Sequence, residues 1–148
     1  MKPEKLAFEL KNDLAELDTL AEKLELFGER IGLDARCLFE TNLAMDELFT
    51  NIISYGFTDD QEHWVSFTLT FADEELSITI EDDGIPFNPL LCKKPDLDLP
   101  VEASPVGGLG IHLCRNMMDE MDYRRSADRN IVTIRKKKVS KKNQSQKG

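Results

Sequence analysis

No run of apolar residues in this sequence approaches the roughly 20 that a membrane-spanning helix needs. The first ten residues, MKPEKLAFEL, lack the continuous apolar segment of a secretion signal. Cysteines number three, and the count and wide spacing of Cys37, Cys92 and Cys114 fit neither a disulfide framework nor a zinc site. We therefore expect a chain in a reducing, cytoplasmic setting that makes no direct contact with a membrane.

Basic residues are scarce over most of the chain, whose formal net charge is −9. Seven of the 19 basic residues fall within 135–148, so residues 1–134 hold 12 basic residues against all 28 acidic ones. A body this acidic repels nucleic acid and favours a basic protein partner, or only keeps the chain in solution. The composition predicts one domain over residues 1–136 and a disordered, lysine-rich tail over 137–148.

The hydrophobic pattern alternates between period two and the helical period. Residues at helical spacing predict helices over 14–31, 35–55 and 111–119, with Gly32 and Gly56 ending the first two and Asp34 capping the second. Strict alternation predicts strands near 6–10, 65–71, 76–80, 121–126 and 130–136. We expect an α/β (α+β) two-layer sandwich, in which three helices pack on one face of a mixed, mostly antiparallel sheet.

The helix predicted over 35–55 carries two polar residues that a core helix has no packing reason to keep. Glu47 and Asn51 are four residues apart, so their side chains project from one helical face. An amide oxygen can ligate Mg²⁺, and a carboxylate can orient or deprotonate a hydroxyl or a water. The alternative is that both residues lie at the solvent edge of the apolar stripe.

Two glycine-containing segments follow. Asp82 ends a predicted strand two residues before Gly84, and a carboxylate there can accept a hydrogen bond from the exocyclic amine of adenine. Gly107, Gly108 and Gly110 precede a helix, where free backbone N–H groups favour phosphate oxygens. Asp and Gly are also common in ordinary turns, and glycines also form hinges. The second segment has no lysine where a Walker loop requires one.

The order of these motifs is more specific than any one of them. E-L-x-x-N at 47–51, D-x-G-x-P-F at 82–87, a proline-containing stretch without periodicity and G-G-L-G-I at 107–111 together resemble the GHKL ATPase superfamily, which includes gyrase and the histidine kinases. The short length and the D-x-G-x-P-F variant are most similar to its stand-alone bacterial branch, the anti-sigma factor serine/threonine kinases. The resemblance covers about residues 5–136 and implies the Bergerat fold.

The resemblance implies roles for the first two motifs. Asn51 would hold the Mg²⁺ that bridges the phosphates of ATP, and Glu47 would be the general base that takes the proton of the attacking hydroxyl. Asp82 would bind the adenine amine, and Gly84 would pack beneath the ring.

It also implies roles further along the chain. Gly108 and Gly110 would meet the phosphates, and residues 88–106 would form a lid over the nucleotide. Thr133, taken as inward in the last strand, would supply the hydroxyl that supports the adenine-reading aspartate. His63 and His112 are outside any phospho-acceptor helix, so we interpret them as ordinary surface or helix residues.

The sequence-based hypothesis is a Mg²⁺-ATP-dependent protein kinase that phosphorylates a serine or threonine of a small antagonist protein. The resemblance also implies a sigma factor as a second partner, and it leaves open a homodimer, which members of the family often form. One rival is a non-catalytic module that binds ATP and sequesters a regulator. Two others are an ATP hydrolase without a protein acceptor and an α/β domain that binds no nucleotide.

Overall fold

The computed structural model describes residues 3–91 and 114–138, which fold into one sheet covered by helices. Residues 114–117 are helical and belong to the third helix predicted from the sequence. Short 3-10 turns lie at Leu14–Glu16 and Pro89–Leu91. The α+β two-layer sandwich expected from the sequence is confirmed. Its main elements are β1 (Glu4–Lys11), α1 (Leu17–Ile31), α2 (Ala35–Tyr55), β2 (Trp64–Ala72), β3 (Glu75–Asp82), β4 (Glu120–Ser126) and β5 (Arg129–Lys137).

The five strands form one sheet in the order β1-β2-β3-β5-β4. All four pairings among the described strands are antiparallel, so the parallel component of the predicted mixed sheet is not found there. The last hairpin inserts β5 between β3 and β4, and this register sets Asp82 directly opposite Asn130. Opposed residues in an antiparallel pair share a face of the sheet, so these two side chains point the same way.

Helix α2 begins and ends where its capping residues predict, whereas α1 ends as predicted but begins at Leu17, after the 3-10 turn at Leu14–Glu16. The Asp34 carboxylate accepts a hydrogen bond from the backbone N–H of Cys37 at 2.7 Å and starts α2. Gly32 ends α1 with a φ of +70°, a left-handed conformation that glycine adopts without a steric penalty. At the other end of α2, the N–H of Gly56 bonds to the carbonyl of Ile52 at 2.9 Å. Neither of these helices is long and apolar enough to cross a membrane, and the described residues contain no other that is.

The core lies between the helices and the inward face of the sheet. Phe67 of β2 is fully buried at its centre, stacked on Phe8 with ring centroids 5.2 Å apart and edge-on to Phe49 of α2 at 5.3 Å. Such aromatic pairs stabilise by about 0.5–1.5 kcal/mol beyond the area they bury. Cys114 also packs into this core, where its thiol lies 3.6 Å from the carbonyl of Ala44. The third helix is thereby joined to α2.

The folded region extends slightly beyond the predicted boundary at residue 136. Strand β5 continues to Lys137, and the Lys138 ammonium donates to the carbonyl of Ile31 at 2.9 Å. A cation at a helix C-terminus is favourable because the unpaired carbonyls there carry partial negative charge. The rest of the predicted tail, 139–148, lies outside the described residues.

Candidate functional site

The two polar residues of α2 lie side by side on one face of the helix. The amide nitrogen of Asn51 donates to Glu47 Oε1 at 3.2 Å, and Asn51 is only 5% exposed. Asn51 Oδ1 has no hydrogen-bond donor among the described residues, which leaves an amide oxygen available to a ligand. The alternative that both residues sit at the solvent edge of the helix is wrong for Asn51, which is buried, while Glu47 is half-buried.

Asn51 and Asp82 line the same cavity, although they are 31 positions apart in the sequence. The space between their side chains measures about 400 Å³, part of it open to solvent. Among the described residues its walls are mostly apolar, and the polar side chains are those of Asn51, Asp82 and Asn130. The described part of the lining is Leu48, Asn51, Ile52, Gly56, Ile80, Asp82, Phe87, Pro89, Asn130 and Val132. Glu47 is not part of this lining and reaches the site through its bond to Asn51.

Asp82 is a buried carboxylate whose two oxygens differ in their hydrogen bonds. Its Oδ1 accepts hydrogen bonds from the Gly84 N–H at 2.9 Å and from the Asn130 amide at 3.0 Å. Within the described residues no donor reaches Oδ2. Burial raises the pKa of Asp82 above its ordinary value, and the two hydrogen bonds act in the opposite direction. The cavity therefore presents a hydrogen-bond acceptor of fixed orientation between apolar walls.

Asn130, which was not predicted as a site residue from the sequence, holds this acceptor in place. Its amide nitrogen donates to Asp82 and to the carbonyl of Ile85 at 2.7 Å, and its oxygen accepts from Tyr123 at 2.6 Å and from the Phe87 N–H at 3.3 Å. Two donations and two acceptances fill the hydrogen-bonding capacity of a carboxamide, so its orientation is fixed. The available signal was a polar residue in phase with the inward apolar positions 132 and 134.

The expectation that Thr133 supports Asp82 is wrong. In the β3–β5 register Thr133 is paired with Thr79, three positions from the Asp82–Asn130 pair, and its hydroxyl lies 3.4 Å from that of Thr79. Because side chains alternate between the two faces of a strand, Thr133 points to the face opposite Asp82. Asn130 occupies the supporting position instead.

For the ATP that the sequence resemblance implies, we predict that Thr133→Val changes the affinity by less than roughly twofold, since substitutions away from a site usually change free energies by no more than about 0.5 kcal/mol. Asn130→Ala, by contrast, should weaken binding several-fold because it removes a donor to Asp82 and frees the loop at 85–87. Titration calorimetry of both variants with Mg²⁺-ATP measures the difference. A large loss in the valine variant alone would reverse this assignment.

Gly84 is required by a backbone contact within the protein. A Cβ atom at this position would lie 2.2 Å from the carbonyl oxygen of Gly56, a distance that no side chain tolerates. The Ile85 N–H donates to the same carbonyl at 2.8 Å. These contacts tie the loop after Asp82 to the end of α2 and so align the two halves of the cavity. Gly84 does not line the cavity, and its predicted packing beneath a ring stays a prediction.

Cysteine, metal-ligating residues and the glycine-rich segment are the other groups that the sequence offered for the site. Burial, together with the charge of Glu47, raises the pKa of the Cys114 thiol to about 12, so this cysteine is not a nucleophile near neutral pH. The described residues contain no cluster of three or more His, Cys, Asp or Glu that could hold a metal by itself. Gly108, Gly110 and residues 92–106 of the predicted lid lie outside the described residues.

Comparison with known proteins identifies relatives of this site. The profile of the histidine kinase-like ATPase domain matches residues 10–136. Serine/threonine-protein kinase BtrW of Bordetella bronchiseptica is 31% identical over 111 residues, which cover 75% of this chain and 78% of that protein. The anti-sigma F factor of Clostridium perfringens is 28% identical over 110 residues, covering 70% of this chain and 74% of that protein.

A solved structure shares the fold. The crystal structure of the RsbU and RsbW domains of a Mycobacterium tuberculosis protein superposes with a TM-score of 0.64 at 15% sequence identity. The match covers 91% of this chain and 32% of that one, so this chain spans about a third of its length. The family profile covers residues 10–136, which include Glu47, Asn51 and Asp82. The chain therefore belongs to the family of histidine kinase-like ATPase domains.

Proposed function

We propose that this protein is a Mg²⁺-ATP-dependent serine/threonine kinase of the anti-sigma factor type, which phosphorylates a protein antagonist in a partner-switching system. The observation that carries the proposal is the Glu47–Asn51 pair on α2, beside a cavity that also contains the buried Asp82. Two relatives of the chain are named as a serine/threonine-protein kinase and an anti-sigma factor, and these names support the proposal.

The base of ATP would bind at the Asp82 end of the cavity. Its exocyclic amine would donate to Asp82 Oδ2, since Oδ1 is already occupied by Gly84 and Asn130. The ring would lie among the apolar side chains that surround this carboxylate, which include Ile52 and Ile80. A fixed acceptor in an apolar pocket binds a ligand that donates at that point and discriminates against one that does not.

Phosphotransfer would take place at the Glu47 end. Glu47 would accept the proton of a serine or threonine hydroxyl as that oxygen bonds to the terminal phosphorus of ATP, while the bond from this phosphorus to the β–γ bridging oxygen breaks and ADP leaves with its electron pair. Asn51 Oδ1 would help to hold a Mg²⁺ ion, because the residue is only 5% exposed and no donor among the described residues reaches this oxygen. When bound, Mg²⁺ neutralises charge on the phosphates, while this chain aligns the base and the acceptor hydroxyl.

The partners of the proposed kinase follow from its class. A protein antagonist would be the phosphoacceptor, a sigma factor would be the second partner, and both would be met in the cytoplasm. The relatives named as an anti-sigma factor and as the serine-protein kinase RsbW of Bacillus mycoides, 26% identical over 98 residues, support this partner class. A homodimer is compatible with the proposal, and sedimentation of the nucleotide-bound chain measures it.

The test is a pull-down from the native cytoplasm with and without Mg²⁺-ATP, followed by phosphosite mapping of the captured proteins. The proposal expects a small partner that becomes phosphorylated on serine or threonine only when ATP and the wild-type chain are both present. An ATP-stabilised complex without a phosphoprotein would favour a sequestering module, and phosphate release without any partner would favour a hydrolase. A melting temperature that does not respond to Mg²⁺-ATP would exclude nucleotide binding.

A further inference from the structure

A histidine lies between two carboxylates next to the candidate site. The Nε2 atom of His63 is 2.7 Å from Asp59 Oδ1, and its Nδ1 atom is 3.2 Å from Asp83 Oδ1. Its ring stacks on Phe57 with centroids 4.1 Å apart and planes 11° from parallel. The His63 backbone is fixed as well, since its N–H donates to Asn12 Oδ1 and its carbonyl accepts from the Asn12 N–H, both at 3.0 Å.

This geometry selects the protonated form of the ring. An ionised carboxylate only accepts hydrogen bonds, and a neutral imidazole donates from one nitrogen. Both contacts of His63 are therefore hydrogen bonds only when the ring is an imidazolium. The Phe57 face adds to this preference because a cation is attracted to an aromatic face. Among the described residues, the charged groups that face the ring are Asp59 and Asp83.

The two carboxylates belong to the two segments that close the cavity. Asp83 lies between Asp82 and Gly84, and Asp59 lies in the loop that follows α2. These segments also meet where the Ile85 N–H donates to the Gly56 carbonyl. The His63 ring therefore forms an ion pair with each segment. These pairs add a second connection between the loop that carries Asp82 and the end of the helix that carries Asn51.

We infer that His63, held between Asp59 and Asp83, is a pH-dependent latch that positions the loop 82–85 against Gly56. The inference deepens the proposed function, since it assigns pH regulation to the same nucleotide site. Hydrogen bonds to Asp59 raise the pKa of His63 above its ordinary value of 6.5, and the charges of both aspartates act in the same direction. The neighbouring cation, Lys11, is paired with Glu62 at 2.9 Å.

The direction of the pH effect follows from this raised pKa. A group whose pKa is higher in the folded state stabilises that state fully below its unfolded pKa, and the contribution is lost as the pH rises through the folded pKa. The latch is therefore closed below about pH 6.5 and opens at higher pH, where His63 becomes neutral and loses one of its two hydrogen bonds.

The inference is tested by measuring ATP affinity from about pH 6 to about pH 9 for the wild type and for His63→Gln. We expect the ratio of the two dissociation constants to change by roughly fivefold over this range, at the lower end of typical coupling between sites. Asp60→Asn, which removes an exposed carboxylate of the same loop that does not contact the ring, should follow the wild type. The same ratio at every pH would mean that His63 is only structural and would overturn the inference.

Two measurements separate this inference from the proposed function. NMR titration of the His63 ring without nucleotide should give a pKa above 6.5 that falls in both Asp59→Asn and Asp83→Asn. Urea unfolding without nucleotide should show a pH-dependent difference in stability between the wild type and His63→Gln. If ATP fails to bind at any pH, the proposed function fails, and these two measurements still decide the latch. A His63 pKa at or below 6.5 would overturn it.

Discussion

Replacing Glu47 with glutamine is expected to lower the rate of phosphotransfer from ATP to a protein acceptor by about 10²- to 10⁴-fold, the usual contribution of a general base. ATP affinity should be nearly unchanged, because the glutamine oxygen can still accept the hydrogen bond that Asn51 donates to Glu47 at 3.2 Å. Asn51 then keeps its orientation toward the cavity. Single-turnover transfer from labelled ATP, combined with calorimetry of ATP binding, separates the two quantities.

The neighbouring acid on α2 provides the control for this prediction. Asp46→Asn makes the same change of carboxylate to amide one residue earlier, and Asp46 Oδ1 is buried without a hydrogen-bond partner among the described residues. Burial raises the pKa of Asp46, so removal of its charge should not harm the fold. We expect Asp46→Asn to transfer phosphate at close to the wild-type rate. If Glu47→Gln binds ATP as the wild type does and still transfers phosphate at the wild-type rate, the assignment of Glu47 as the base is wrong.

The elements that the sequence predicted best are those with local signals. Helix α2 runs from Ala35 to Tyr55 as expected, because Asp34 caps its start and Gly56 follows its end. The strand alternation was equally readable, since each strand buries one face. The position of β5 between β3 and β4 was not predicted, because it depends on contacts between residues about 50 positions apart. Local propensity carries no information about such pairing.

The candidate site also contains residues that local sequence signals predict and residues that they do not. Glu47 and Asn51 were predicted together because one helical turn separates them. The error at Thr133 was one of phase, since Val132 and Ile134 already mark the inward positions of β5 and leave Thr133 outside. Asn130 and the His63 latch were missed for another reason. Asn130 and Asp82 are 48 positions apart in the sequence, and His63 and Asp83 are 20 apart. Only the folded sheet brings the two members of each pair into contact.

Asp82→Asn is expected to weaken ATP binding by about 10- to 100-fold, which corresponds to roughly 1.4–2.8 kcal/mol. An asparagine at this position would keep its oxygen toward the Gly84 N–H and the Asn130 amide, which both donate to Asp82 Oδ1. Its NH₂ group would then occupy the place of Oδ2 and face the adenine amine, so that two donors meet. Calorimetry with Mg²⁺-ATP measures the loss, with Glu81→Gln as the control on the outward face of β3.

Asp82→Asn should change the preference between adenine and guanine nucleotides as well as lower the affinity for ATP. Guanine presents a carbonyl oxygen where adenine presents its amine, so the NH₂ group of Asp82→Asn would face an acceptor. We therefore expect the preference for ATP over GTP to fall in this variant, whereas a general loosening of the cavity would weaken both nucleotides equally. An unfolding midpoint close to that of the wild type shows that the sheet is intact. Undiminished ATP affinity in Asp82→Asn would remove adenine recognition from this carboxylate, and with it the orientation of the nucleotide that directs the terminal phosphate toward Glu47.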